Sequence, residues 1–193
     1  MSTSGSHTID DAEIAKFSAL ASEWWDPRGK FAPLHRLNPV RLAYIRDTAC
    51  AHFGRDPNSL SPFSDLSIVD IGCGGGLISE PMVRLGASVT GIDANQTGID
   101  AANLHATQCG LIIDYRHATV AELLSEGRTF DIVLNLEVVE HVTDVEEFLS
   151  ATAQLVRPGG MTIAATLNRT PKAYLLAIVG AEYILGWVAR GTH

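Results

Sequence analysis

What the chain lacks narrows its role first. It has no basic run: Lys and Arg number 14 against 22 Asp and Glu, for a formal net charge of -8. Proteins that grip a phosphate backbone carry a positive footprint, so nucleic acid is not an expected partner. Cysteine is scarce. Cys50, Cys73 and Cys109 are odd in number, far apart and without a C-x-x-C pair, which argues for reduced thiols in an intracellular protein and against a disulfide framework. A membrane span needs roughly 20 apolar residues with few charges, and no stretch qualifies well. Ser2 to Asp11 is polar and then acidic, unlike a secretory leader or an Arg-rich transit peptide, although a chain whose leader had been removed would look the same.

What is present describes a globular protein. Hydrophobic residues make up 46% and charged residues 19% of the 193 positions, enough apolar material for a core. After a polar tail, Ile14, Phe17, Ala21 and Trp24 recur at helical spacing and predict a helix over about 10–25. The spacing predicts a second helix from Asn38-Pro39, with Asn as cap and Pro at the first helical position. Apolar strands are then expected at Ile68–Ile71, Ser88–Ile92, Leu111–Tyr115, Phe130–Asn135 and Met161–Ala165. Helices are expected between them: after the glycine loop to Leu85, near 96–109, 120–125 and 145–155. Pro81 weakens the first of these unless it lies in the opening turn. Arg157-Pro158-Gly159-Gly160 reads as a tight turn. Alternating strands and helices imply a doubly wound parallel α/β sheet, Rossmann-like. The expected division is a helical region over 1–60, the α/β core over 61–166, and an apolar segment over 167–193.

The chemistry-bearing motif is Gly72-Cys73-Gly74-Gly75-Gly76, directly after the first strand. Bare backbone there lets a ligand approach closely. Cys73 reads as a small turn residue in preference to a catalytic thiol. Asp93 ends the second strand, 21 residues beyond Gly72, where a carboxylate can accept from ribose hydroxyls. The nicotinamide fingerprint G-x-G-x-x-G fails in both registers, at Leu77 and at Ser79. Asp70, two residues before Gly72, would repel a pyrophosphate, but it suits an amino-acid ammonium or oriented amides. The charges therefore favour a nucleoside joined to an amino acid, S-adenosyl-L-methionine, with Asp70, Gly72, Gly74 and Asp93 as contacts.

Val69 to Gly76 resembles the first motif of class I S-adenosylmethionine-dependent methyltransferases. More narrowly, the chain resembles the ubiquinone-biosynthesis O-methyltransferases. The narrow resemblance rests on Ile14 to Phe17, Trp24-Trp25-Asp26, Pro33 to Leu42, Glu140-His141-Val142, Thr166 to Arg169, Val179 to Leu185 and Gly191 to His193. It spans nearly the whole chain. It implies methyl transfer to a catechol hydroxyl of a polyprenylated ubiquinone precursor, including 3-demethylubiquinol, and donor contacts at Arg41, Gly72, Asp93 and Leu136. It also implies association with a ubiquinone-biosynthesis protein complex. Where many class I enzymes carry an acid after the third strand, this chain has His117-Ala118-Thr119-Val120, so backbone near Thr119 is expected to meet the adenine. The resemblance further implies a seven-stranded sheet, of which the last two strands are not found.

A catechol hydroxyl attacks best as a phenolate, formed by a general base or by a divalent metal. Glu137-Val138-Val139-Glu140-His141 follows the fourth strand. If it turns helically, Glu137, Glu140 and His141 share a face and could hold Mg2+. Alternatively His141, with Glu140, is the base, or the segment is structural. His35 and His193 are further candidates. Residues 173–189 are apolar except for Glu182, with Lys172 and Arg190 at the flanks. They suit an interfacial membrane-contacting helix or a lid. The expected location is the cytoplasm or the cytoplasmic face of a bacterial inner membrane, with the mitochondrial matrix side as the alternative. Two rival classes stay open: a nicotinamide-dependent oxidoreductase, and a non-catalytic membrane-associated protein retaining the fold.

Overall fold

The computed structural model describes residue 19 and residues 21–166. Five strands form one sheet: β1 (Ser67–Ile71), β2 (Ser88–Asp93), β3 (Asp114–His117), β4 (Phe130–Leu136) and β5 (Val156–Ala165). Their order is β3-β2-β1-β4-β5 and every pairing is parallel. The direction of winding reverses between β1 and β4, which opens a crevice at the carboxyl ends of these strands. The doubly wound parallel sheet expected from the alternation is therefore the observed fold.

Alternation along the strands supplies both faces of the sheet. Ile68, Ile132 and Leu134 face α1 (Ala32–Phe53) and α2 (Ser79–Arg84), where Ile45, Ala49 and Met82 meet them. Val69, Ile71 and Val133 face the other way, toward Val120 and Leu123 of α4 (Val120–Ser125) and Phe148 of α5 (Val145–Gln154). Helix α3 (Gln96–Gln108) packs Ile99 and Ala102 against Cys73 and Tyr115.

Local chemistry starts these helices. Asn95 accepts from the Thr97 amide to cap α3, and Asp144 accepts from the Glu147 amide to cap α5. Thr119 and Glu122 form a reciprocal capping box on α4, satisfying donors that a helix start leaves open. Pro81 is the third residue of α2. It lies in the first turn, where an amide would lack a helical partner anyway.

Three expectations are corrected. Helix α1 begins at Ala32, not at Asn38-Pro39. Pro33 takes the tolerated opening position, Asn38 is buried, and Pro39 lies inside the helix. Strand β3 begins at Asp114, not at Leu111. Leu111 and Ile113 are half-buried by packing on the α3 cluster, while Ile112 is exposed. Asp114 opens the ladder opposite Thr90 and is held by Arg128 at 2.8 Å. Finally, Arg157 to Gly160 is not a free-standing turn before β5 but an irregularity within it. The register jumps from Phe130↔Val156 to Ile132↔Met161. Arg157 ion-pairs with buried Asp131, which also accepts from the Ser67 amide and hydroxyl at 2.8 and 2.7 Å. The helix expected over 10–25 lies largely outside the described residues, and residues 21–25 are helical. Residues 167–193 lie outside the described residues altogether.

Candidate functional site

The glycine loop leaves β1 at the crevice. Gly72, Gly74 and Gly76 have φ of 71°, 50° and 86°, backbone that side-chain-bearing residues seldom adopt. A Cβ on Gly72 would collide with Val138, and one on Gly76 with the Tyr115 hydroxyl. Amides of Gly72 and Cys73 donate to the Ile92 carbonyl at 2.8 and 3.0 Å, tying the loop to β2. Asp93 then fixes it from the side: one carboxylate oxygen accepts from the Gly74 amide at 2.9 Å, the other from the Asn95 amide at 2.7 Å. Orienting the loop amides therefore falls to Asp93, a role the sequence suggested for Asp70. Cys73 is buried, and burial together with Asp70 and Asp93 pushes its thiol far above its ordinary range, so it is no thiolate nucleophile.

Two cavities flank the loop. The larger, about 670 Å³, is lined by Gly72, Asp93, Ala118, Thr119, Val120, Val138, His141 and Phe148, among others. The smaller, about 180 Å³, is lined by Trp24, Asn38, Arg41, Asp70, Gly72, Gly74, Leu136 and Glu137. Gly72 and Glu137 belong to both. All six residues expected to contact a donor, Arg41, Asp70, Gly72, Gly74, Asp93 and Leu136, thus line one or both cavities.

Asp70 is 3% exposed and accepts from the Ser79 hydroxyl at 2.6 Å. Burial pushes its carboxyl up to about 6, with Ser79 pulling down and the Asp93 charge pushing up. A buried carboxylate so poised is stabilised by a nearby cation. Arg41 ion-pairs with Glu137, whose own φ is 58° and whose amide donates to the Ala165 carbonyl at 2.7 Å. Burial raises the Glu137 carboxyl, and a hydrogen bond shared with Glu140 raises it further, against the pull of Arg41. Burial also opposes the charge on Glu140. Hydrogen bonds from its own amide, the Thr166 hydroxyl and Glu137 outweigh that and hold its carboxyl low.

The helical face expected to unite Glu137, Glu140 and His141 does not form. The left-handed backbone at Glu137 breaks the turn, and the short 3-10 helix covers only Val139–His141. Among the described residues, the group of His, Cys, Asp and Glu gathered closely enough for three-donor metal binding is Glu80, His105 and Cys109. Glu137 and Glu140 share a side-chain hydrogen bond, but the trio with His141 does not bring three donor atoms within 4.8 Å of one another. His35 is drawn to the Trp24 carbonyl at 2.8 Å, and His193 lies outside the described residues.

Sequence reasoning missed the tryptophans as site residues. Cβ atoms on Gly74 and Gly75 would come within 2.6 and 2.5 Å of Trp24, and Trp25 donates its indole N–H to the Gly75 carbonyl at 3.1 Å. The Trp24-Trp25 pair was visible in the sequence, but no local pattern connected it to a loop 50 residues away. Thr143, Asp144 and Ala151 of the larger cavity were also missed, and no chemical motif marked them.

A doubly wound sheet with a glycine loop after β1, an acid ending β2 and a cleft at the strand ends is shared by dinucleotide-binding folds and class I methyltransferases. The loop, with Leu77 and Ser79 where the dinucleotide fingerprint needs glycine, points to the methyltransferases. Residues 69–164 match the methyltransferase domain model of that class. Solved structures share the fold. The plantazolicin methyltransferase BpumL, solved with a desmethyl-plantazolicin analog and SAH, aligns over 88% of this chain and 64% of its own at TM-score 0.61 and 19% identity. An S-adenosylmethionine-dependent methyltransferase from Clostridium acetobutylicum aligns over 86% and 61% at TM-score 0.57 and 15% identity.

The chain belongs to the ubiquinone biosynthesis O-methyltransferase family. It is 62% identical to the member from Brucella anthropi over 96% of this chain and 75% of that protein. It is 60% identical to the member from Chelativorans sp. strain BNC1 over 96% and 74%. The nicotinamide-dependent alternative gives way to this assignment.

Proposed function

We propose that the protein transfers a methyl group from S-adenosyl-L-methionine to a catechol hydroxyl of a polyprenylated ubiquinone precursor, including 3-demethylubiquinol. The meeting of the two cavities at Gly72 and Glu137 carries this reading. The adenosine fills the larger cavity, with Asp93 accepting from the ribose hydroxyls and backbone near Thr119 facing the adenine. The amino-acid end fills the smaller one. Its carboxylate takes Arg41 as a bidentate partner, its ammonium approaches Asp70, and Leu136 packs alongside. The sulfonium then lies at the junction beside Gly72.

Transfer is an in-line displacement on the sulfonium methyl carbon. The acceptor oxygen forms the new bond, the sulfur–carbon bond breaks, and S-adenosylhomocysteine leaves. The protein aligns the oxygen and accepts its proton. His141 lines the larger cavity and Glu140 is its neighbour, with its carboxyl held in the charged form. We assign His141 as base and Glu140 as the group that stabilises its protonated form. Mg2+ on Glu137, Glu140 and His141 is the rival way to make the phenolate. Their arrangement favours the base, so no step is routed through a metal.

The relatives bearing this family name are bacterial, which supports a cytoplasmic enzyme or one at the inner face of the cell membrane. No helix among the described residues is long and apolar enough to cross a membrane. Contact with a bilayer through 173–189, a place in a biosynthetic complex, and the division at 60 and 166 belong to the same proposal. The test is transfer of radiolabelled methyl from the donor to a short-chain polyprenyl catechol, with and without chelator. Labelled product in both arms is expected. Absence of product in both would overturn the reading, and loss only with chelator would replace the base with the metal.

A further inference from the structure

A second cluster lies beneath the glycine loop, outside the donor cavities. Glu80 is the second residue of α2 and is 0% exposed. One of its oxygens meets His105 Nδ1 at 2.6 Å, and the other is buried without a hydrogen-bond partner, with Arg84 3.5 Å away. Cys109, four residues after His105 at the end of α3, brings its sulfur to 3.8 and 3.9 Å from the two ring nitrogens. One atom from each of the three residues falls within 4.8 Å of the others.

We propose that Glu80, His105 and Cys109 bind a borderline-soft divalent cation of the Zn2+ type. Carboxylate, imidazole and thiolate are its preferred donors. Tetrahedral bonds of about 2.3 Å to sulfur and about 2.0 Å to nitrogen separate those ligand atoms by roughly 3.5 Å, close to the separation here. The His-x-x-x-Cys spacing at a helix end puts both donors on one face. The second oxygen of Glu80 is the further observation: it is buried, makes no hydrogen bond and meets only a long ion pair with Arg84 at 3.5 Å, so the carboxylate keeps acceptor capacity for a cation at the cluster. On binding, Cys109 gives its thiol proton to solvent. The proton between His105 Nδ1 and Glu80 also leaves to solvent as the cation takes its place, that 2.6 Å pair opens to about 3.3 Å, and water completes the shell. Cys109 is exposed, which gives the ion an entry path. Trp25 stacks on His105 with ring centroids 3.9 Å apart and also holds Gly75, so a bound ion would stiffen the underside of the glycine loop.

Co2+ titration of the whole protein tests this. A thiolate-to-cobalt charge-transfer absorption should saturate at one equivalent, be abolished by Zn2+ and be absent from Cys109→Ser. Excess Mg2+ should not affect it. Because Cys50 and Cys73 are buried, Zn2+ should also slow alkylation of the native protein at least tenfold. Cys109→Ser should keep its methyl-transfer rate without added metal, which separates this site from the catalytic one. Absence of the absorption, or its persistence in Cys109→Ser, would overturn the proposal.

Discussion

The larger cavity combines apolar walls from Ala118, Val120 and Phe148 with acids such as Asp93, and no Arg or Lys is among its lining residues. The smaller one holds Arg41 beside Asp70 and Glu137. Arg41 is thus the one guanidinium or ammonium among the lining residues of either cavity that could receive an anionic group, and in the proposed function the uncharged nucleoside lies on the other side. A diphosphate would meet Asp93 and Asp70 on both flanks of the loop. This pairing, on which the proposed function rests, suits a ligand neutral at one end and zwitterionic at the other.

The harshest way to break that division is at the residue both sides share. Gly72→Ala combines a side chain at φ 71° with a collision against Val138. Donor affinity should fall roughly a hundredfold or more, measured by calorimetry with circular dichroism as the folding control. Retained affinity would mean that the donor binds elsewhere.

Arg41→Ala sharpens the contrast. Losing a charge-assisted carboxylate contact should weaken S-adenosylmethionine by about 2 kcal/mol, roughly thirtyfold. Methylthioadenosine, which lacks the amino acid, should bind as before. An equal loss for both ligands would place the guanidinium on the wrong end.

Asp70 gives a pH signature. Its folded carboxyl titrates near 6, above the ordinary 3.8. Ionising it therefore costs folded-state stability as pH rises from about 4 through 6, and a cationic donor recovers that cost by favouring the ionised form. Donor affinity should rise on the order of tenfold from pH 5 to 7 and then level off. Asp70→Asn should flatten the profile and, above pH 6, raise the melting temperature of the free protein. A flat wild-type profile would contradict the ammonium contact.

The smallest effect belongs to the wall of the larger cavity. Thr119→Ala removes one half of the α4 capping box and should cost about 1 kcal/mol of stability, with donor affinity changed less than threefold. A larger affinity loss would show that the Thr119 side chain itself touches the adenine.

The glycine loop and the acid that line the two cavities were legible in the sequence because each sits on a signal of short range, whereas Arg41 and Leu136 came only from the family resemblance. A strand runs into a glycine loop, and a second strand ends in an acid. The acceptor half was less so. The helical face over Glu137, Glu140 and His141 assumed a regular turn, and only the backbone reveals that Glu137 is left-handed and held by Arg41. Helix α1 starts earlier than expected because Pro33 is as admissible in an opening turn as Pro39, and Asn38, the expected cap, is instead a buried residue within the helix. Strand β3 slipped because Leu111 and Ile113 are apolar for the sake of a helix, not a ladder.

Trp24 borders Gly74 and Gly75 and lines the smaller cavity. The protein therefore carries an intrinsic optical reporter on the wall of the cavity proposed to take the amino-acid end of the donor. With Trp25 and Trp187 replaced by Phe, the emission of this one indole would register arrival of the sulfonium ligand directly, with no label and no turnover.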